Sequence, residues 1–298
     1  MKKILLLIAT VSCSQFSFPQ SYFYNDRYYD NLWQVETGVS TGAMNCLTDL
    51  GGKPARGKPF FKDINWNCTR FCAGLFVSAL FRYTIGARLE ASLGAVTGAD
   101  SLLKKNVSDA VHRYQRNLHF RSKIAEIVLL AEFHPLSLLI DPYEFSPGLS
   151  PYLLAGIGLF AFDPQTSIAG NWVSLRPLRT EGQGFREHPG NLPYKTTALN
   201  FPVGAGLKYE LSAVWNARLE IVHRFLKTDY LDDVSKQYID PRLFYQYHDA
   251  ARAYLSEQLA DRRPLNATFS SKRGNPRNND VYFSINFKLS IMLNRRKR

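Results

Sequence analysis

The sequence predicts an all-β fold, an eight-stranded antiparallel transmembrane outer-membrane β-barrel with long extracellular loops. Three observations carry this. Val281 to Met292 sets Phe283, Ile285, Phe287, Leu289 and Ile291 against Ser284, Asn286, Lys288 and Ser290, the period-2 alternation of a strand with one apolar and one polar face. About seven other segments alternate in the same way, and several carry full charges on the polar face: Arg88, Glu90, Glu126, Glu132, Lys208, Glu210, Arg218, Glu220, Arg224 and Lys288. A strand that is apolar outside and charged inside inverts a soluble core and marks a membrane barrel. A soluble lipocalin-like barrel would not turn these charges inward. Finally, the connections run long, short, long, medium, long, short, long. That is the asymmetry of extracellular loops against periplasmic turns, and an even strand count brings the C-terminus back to the periplasm.

The elements follow in order. Residues 1–14 begin with Lys2 and Lys3, run through the apolar Ile4–Val11 and end on Ser12, Cys13 and Ser14. This is a secretory signal, too short to span a bilayer; Cys13 as a lipoprotein cysteine is the weaker alternative, since Thr10 and Val11 suit that motif poorly. Residues 15–32, rich in Tyr, form a periplasmic lead-in, 33–293 the barrel, and 294–298 a basic periplasmic tail. Strands are expected from about Trp33 to Met44, Arg70 to Arg82, Ile85 onward, Phe120 to Pro135, Pro151 to Phe162, Leu199 to Leu211, Trp215 to Phe225 and Val281 to Met292. No later run of about 18 apolar residues offers a membrane helix. An exported chain that spans a membrane must therefore close a barrel, because lipid satisfies no backbone polar group.

At 298 residues the chain allows one large domain or two small ones. Aromatics make up 13%, and the formal charge is +12. Such basicity suits a solvated surface, nucleic acid or anionic head groups. With membrane-strand patterning, lipopolysaccharide and other outer-membrane lipid rank as partners and nucleic acid does not. A lumen ringed by about eight strands is only wide enough for side chains, so the inward charges are expected to pair and plug it rather than line a channel.

Three cysteines would remain after cleavage: Cys46, Cys68 and Cys72. Cys46 and Cys68 flank a Gly/Pro-rich loop and form a candidate disulfide in an oxidising compartment, with Cys72 facing inward. No metal-ligand spacing, cofactor motif or catalytic arrangement appears, and the chain reads as a non-enzyme. Asp229, Asp232, Asp233 and Glu181 offer a calcium site or an acid pair; the blander alternative pairs them with Arg176, Arg179 and Arg224 to hold the rim loops. His223 falls on an outward face, and His188 and His248 lie in loops. Arg262, Arg263, Lys272, Arg273 and Arg277 make the last long loop basic, as a solvated loop or a contact for lipopolysaccharide phosphates.

Several stretches carry a family resemblance: Arg121–Val128, Glu132-Phe133, Pro151-Tyr152 with Gly156–Phe160, Pro177-Leu178, Thr180-Glu181-Gly182-Gln183-Gly184, Pro202–Tyr209, and Thr228-Asp229-Tyr230-Leu231-Asp232-Asp233-Val234-Ser235. Over most of the mature chain this resembles the PorG-like outer-membrane proteins of the Bacteroidetes type IX (gliding-associated) secretion system. The resemblance implies an eight-stranded barrel that anchors a periplasmic ring, built of a lipoprotein and its ring partner, to the outer membrane. The insert around Lys53–Asp63, the extended last loop over Ile239–Asn278 and the basic tail depart from the family pattern. They leave open a surface-exposed barrel that binds lipopolysaccharide or an extracellular ligand through its last loop.

Overall fold

The computed structural model describes residues 28–29, 32–50, 65–102, 111–139, 148–264, 272–294 and 296–297. The expected signal peptide, most of the lead-in and the Lys53–Asp63 insert lie outside these residues, as do parts of the Pro-rich turn and of the last loop. Eight strands form the barrel: β1 (Trp33–Leu47), β2 (Arg70–Phe81), β3 (Ile85–Ala99), β4 (His119–Phe133), β5 (Leu149–Ile168), β6 (Thr197–Glu210), β7 (Trp215–Leu226) and β8 (Val281–Met292). Each pairs antiparallel with the next in sequence. β8 closes the cylinder on β1, with Leu289 opposite Val39 and Phe287 opposite Thr41. Closure pairs both sides of each of these eight strands within the wall.

The strands form where the alternation places them, because each residue step reverses the face. On β4, Ile127 and Leu129 point outward and are more than half exposed, while Glu126, Val128, Leu130 and Glu132 point inward and are buried. Outward apolar residues continue round the wall as Leu75, Val77, Leu89, Leu153, Leu159, Leu219, Ile221 and Phe287. Lys123 is the exposed charge above this band on β4. From Ala125 to Phe133 the apolar face runs about 20 Å along the barrel axis, given ~3.4 Å per residue and a tilt near 40°. Trp33, Phe81, Phe133 and Trp215 are exposed aromatics at the short-turn rim, with the Trp33 and Phe81 rings 4.9 Å apart. Amphipathic rings at this height suit a membrane–water boundary.

Two features were not expected from the alternation. β5 runs past the barrel to Ile168 and turns through Ala169 and Gly170, both at positive φ, into a short strand, Asn171–Ser174, that pairs back on it. Helices also lie in the long connections: α1 (Val111–Arg116) and α2 (Ala250–Ala260), the latter capped by the Asp249 side chain accepting from the Arg252 N–H. At the opposite end Tyr28–Tyr29 pairs with Arg296–Lys297, so the segments before β1 and after β8 form one small ribbon.

Candidate functional site: a filled lumen and an interlocked loop cap

The lumen is filled by side chains. Near the short-turn end, Arg218 donates to both oxygens of Glu132 at 2.9 and 3.0 Å and also pairs with Glu36. Lys208 lies 3.5 Å from Glu36, which also accepts from Asn216 and Ser290. One layer up, the Arg88 guanidinium meets Glu132 at 3.1 Å, Glu90 at 3.5 Å, and Glu220. Lys288 bridges Glu220, at 3.0 Å, and Glu90. The Phe76 ring sits among these cations, with the Arg88, Arg218 and Lys288 charges 5.1–5.6 Å from its centroid, a cation–π packing strengthened by exclusion of water. Higher still, Arg224 donates to Glu126 at 2.7 and 2.9 Å. Tyr282 and Asn200 donate to the same carboxylate, as does Ser92 at 3.2 Å. Glu210 is buried at the short-turn end of the same interior.

Among the described residues, Arg88, Lys208, Arg218, Arg224 and Lys288 thus face Glu36, Glu90, Glu126, Glu132, Glu210 and Glu220, and all are under a tenth exposed. Unpaired, each buried charge would cost several kcal/mol; paired across strands, they make the interior a polar core. Ten of these charges are the ones named from the sequence; Glu36, which accepts from Ser78, Asn216 and Ser290 and pairs with Arg218 and Lys208, and Phe76 join them. Both stand on the inward face of their strands, and that parity was the signal that would have found them.

Above the charges the lumen turns apolar. Phe120, Phe160, Phe162, Val96, Leu226 and Met44 pack with Leu50, Leu118, Tyr194, Leu231 and Val234, side chains supplied by all four long connections. The loops therefore seal the mouth with their own hydrophobic residues. Polar contacts lock that seal. Arg116, after β3, donates to Asp100, to the carbonyl of Asp49 after β1 and to that of Arg273 before β8. Burial works against its charge, and the adjacent Asp100 carboxylate outweighs burial and holds the guanidinium protonated.

The two sequence motifs meet in this cap. Glu181 accepts from Arg273 at 2.9 Å and from the backbone N–H groups of Ser235 and Lys236. Asp233, at a positive φ of 64°, accepts from Tyr194 at 2.6 Å and from Thr180, and it lies 3.7 Å from Arg273. Asp232 instead accepts from the Leu50 and Val234 N–H groups. Tyr230 stacks on Tyr194 at 4.6 Å. Gly182 and Gly184, at φ of 66° and 82°, make the tight turn that folds the Gln183 amide inward, and Thr228 accepts from the N–H of Tyr230. Burial pushes the Asp229 carboxyl up to about 7 and Asp233 up to about 6, the latter against the lowering effect of Arg273, Thr180 and Tyr194.

Two expectations are corrected here. The Cys46–Cys68 disulfide is not formed: Cys46, Cys68 and Cys72 are free thiols. Cys68 sits in a 3₁₀ turn, Trp66–Cys68, before β2 starts, and the Cys46 thiol lies 3.7 Å from the Thr97 carbonyl on β3. The arginine that holds the acidic motif is Arg273, not Arg176, Arg179 or Arg224. Arg224 belongs to the lumen, and Arg176 donates to the Tyr194 carbonyl. No group of three or more metal-type ligands gathers among the described residues.

A closed eight-stranded antiparallel cylinder, apolar outside and charged within, defines a small β-barrel of the outer-membrane type. No family model matches the sequence, and no curated protein matches it. Among solved structures the chain is similar to the Neisserial surface protein NspA (9% identity, TM-score 0.39, 88% of this chain and 98% of that one). It is also similar to Ail, the attachment invasion locus protein of Yersinia pestis (10%, 0.34, 87% and 96%), and to a major outer membrane protein from Thermus thermophilus (11%, 0.37, 87% and 99%). At such values the likeness is one of general barrel shape. The fold assignment stands on the chain's own strand register.

Proposed function

We propose that this protein is a non-enzymatic component of the outer membrane, a plugged barrel that anchors the periplasmic ring of a type IX secretion system. The observation that carries the structural part of this reading is the filled lumen under a sealed mouth. Ion-paired side chains and loop hydrophobics occupy the path that a channel would need, so the outer wall and the two rims are left to do the work. The resemblance of the Thr180–Gly184 and Thr228–Ser235 motifs to PorG-like proteins supports the secretion role. On this reading the short-turn rim faces the periplasm, and the turn after β4 together with the paired segments that flank the barrel forms the docking surface for the ring lipoprotein and its partner. Crosslinking and affinity purification from native outer membranes tests it. Recovery of the ring lipoprotein, weakened by replacing the basic tail or the turn at Phe133–Ser150, supports the anchor; retention indifferent to both changes removes that surface.

A second reading rests on the last long loop. Residues 239–264 fold over the Arg176–Phe185 segment, with Tyr247 stacked on Phe185 at 4.1 Å and the Ser256 hydroxyl donating to the Leu178 carbonyl. That platform suits a surface binder of lipopolysaccharide or another extracellular ligand. Deleting Ile239–Asn278 would then abolish ligand binding while secretion survives.

A further inference from the structure

The platform encloses a cavity of about 250 Å³ bounded by Arg176, Arg179, Gln183, Tyr247, His248 and Arg252. Three arginines line it, and no Asp or Glu does among the described residues. The acids beside the lining are engaged: Glu187 accepts from the Tyr247 hydroxyl at 2.9 Å and Asp233 from the Tyr194 hydroxyl at 2.6 Å, while Asp249 meets Arg252 at 3.8 Å where both are half exposed or more. Among the described residues Arg176 donates from its Nε, to the Tyr194 carbonyl at 3.0 Å. Gln183 supplies the independent observation. It is 2% exposed, and its Oε1 accepts from the Glu181 N–H at 3.2 Å, which fixes the amide orientation. Gln183 lines the cavity, and its buried Nε2 has no hydrogen-bond partner among the described residues. A buried donor left unpaired costs about 1–3 kcal/mol, a cost recovered when an acceptor enters.

We propose that this cavity binds a phosphoryl group carried on a small polar body, as in a sugar phosphate. The planar, permanently charged guanidinium fork matches tetrahedral oxyanions two donors at a time. The Gln183 amide adds a neutral donor that selects for an acceptor oxygen. The volume exceeds that of a bare phosphate ion and leaves room for a ring against Tyr247 and His248. The same chemistry is offered by a free sugar phosphate and by the phosphorylated sugars of lipopolysaccharide. The proposal is independent of the ring-anchor reading and deepens the second one by placing its ligand.

The test is calorimetric titration of the full-length, detergent-solubilised barrel with glucose 1-phosphate, and with glucose as the control. Binding of the phosphate ester alone is expected, weakened at least tenfold by Arg252→Glu and by the isosteric Gln183→Glu. Arg242→Glu makes the same charge change away from the cavity and should bind as the wild type does. Unheated gel mobility checks that each variant is folded. Competition by phosphorylated but not dephosphorylated lipopolysaccharide supports a lipid-linked source, and binding without such competition supports a free one. The proposal fails if glucose 1-phosphate does not bind, if glucose binds as well, or if Arg242→Glu weakens binding as much as Arg252→Glu does.

Discussion

Replacing Arg224 with Met removes the cation that pairs with Glu126 and leaves the carboxylate buried in the upper lumen. Breaking a buried ion pair by deleting one partner costs about 3–5 kcal/mol. Glu126 keeps the Tyr282 hydroxyl at 2.8 Å, the Asn200 amide and the Ser92 hydroxyl, so a value near the lower end, about 3 kcal/mol, is expected. Glu126→Gln retains an acceptor for Arg224, which also donates to Ser284 at 2.9 Å, and should cost about 2 kcal/mol. The double variant leaves neither charge and should cost about 2 kcal/mol, giving a coupling of about 3 kcal/mol. Reversible urea unfolding in lipid vesicles, followed by tryptophan fluorescence, measures all three, and unheated gel mobility confirms folding. If the double variant costs the sum of the singles, or Arg224→Met costs under about 0.5 kcal/mol, the lumen charges are solvated and the filled-core argument is wrong.

Other outcomes follow from the same geometry. Leu129→Arg, on the outer wall, should cost about 2–4 kcal/mol in bilayer folding assays, while Phe71→Arg near the rim should cost about 1 or less. A Cβ on Gly206 would lie 2.5 Å from the Tyr152 ring; Gly206→Val should displace Tyr152 from Glu220 and lower the unfolding midpoint by about 2–3 kcal/mol in equivalent stability, as overpacking does. Asp233 has its folded pKa raised from 3.8 to about 6. The folded cap therefore binds that proton more tightly than the unfolded chain does. Its contribution, about 3 kcal/mol, is fully present below about pH 4 and lost as pH rises through 6. Limited proteolysis of the loops should run faster at pH 8 than at pH 5; Asp233→Asn, which tolerates the positive φ, should reduce the difference, with Asp229, raised to about 7, carrying part of what is left. In planar bilayers the wild-type barrel should carry no steady conductance; a stable pore would contradict the sealed mouth.

The wall was legible in the sequence because strand parity is a local property. Both ends of β8 fall where the alternation at Val281–Met292 begins and stops, and the inward charges follow from counting by two. The cap was much less legible. Arg273 meets Glu181 across 92 residues and Arg116 meets the Arg273 carbonyl across 157, and no short-range spacing encodes either contact. Arg176 and Arg179 lie nearer to Glu181 in sequence, and nearness in sequence misled. α2 did carry a local mark, Asp249 before an Ala-rich run, but a polar, weakly sided helix gives little periodicity to read. Cys46 and Cys68 likewise flank one loop, yet the 3₁₀ turn at Trp66–Cys68 sets the backbone that presents the second thiol.

The ribbon joining Tyr28–Tyr29 to Arg296–Lys297 lies beyond the seam where β8 meets β1. A pull on either of the two segments that flank the barrel loads both through this pairing. Without the ribbon, tension on one segment would peel the seam one hydrogen-bonded pair at a time, starting where Leu293 and Asn294 meet Val35. With it, the first bonds to yield are outside the barrel, and the cylinder is dragged as a unit. The ribbon thus acts as a strain relief for the joint in the wall that connects residues remote in sequence.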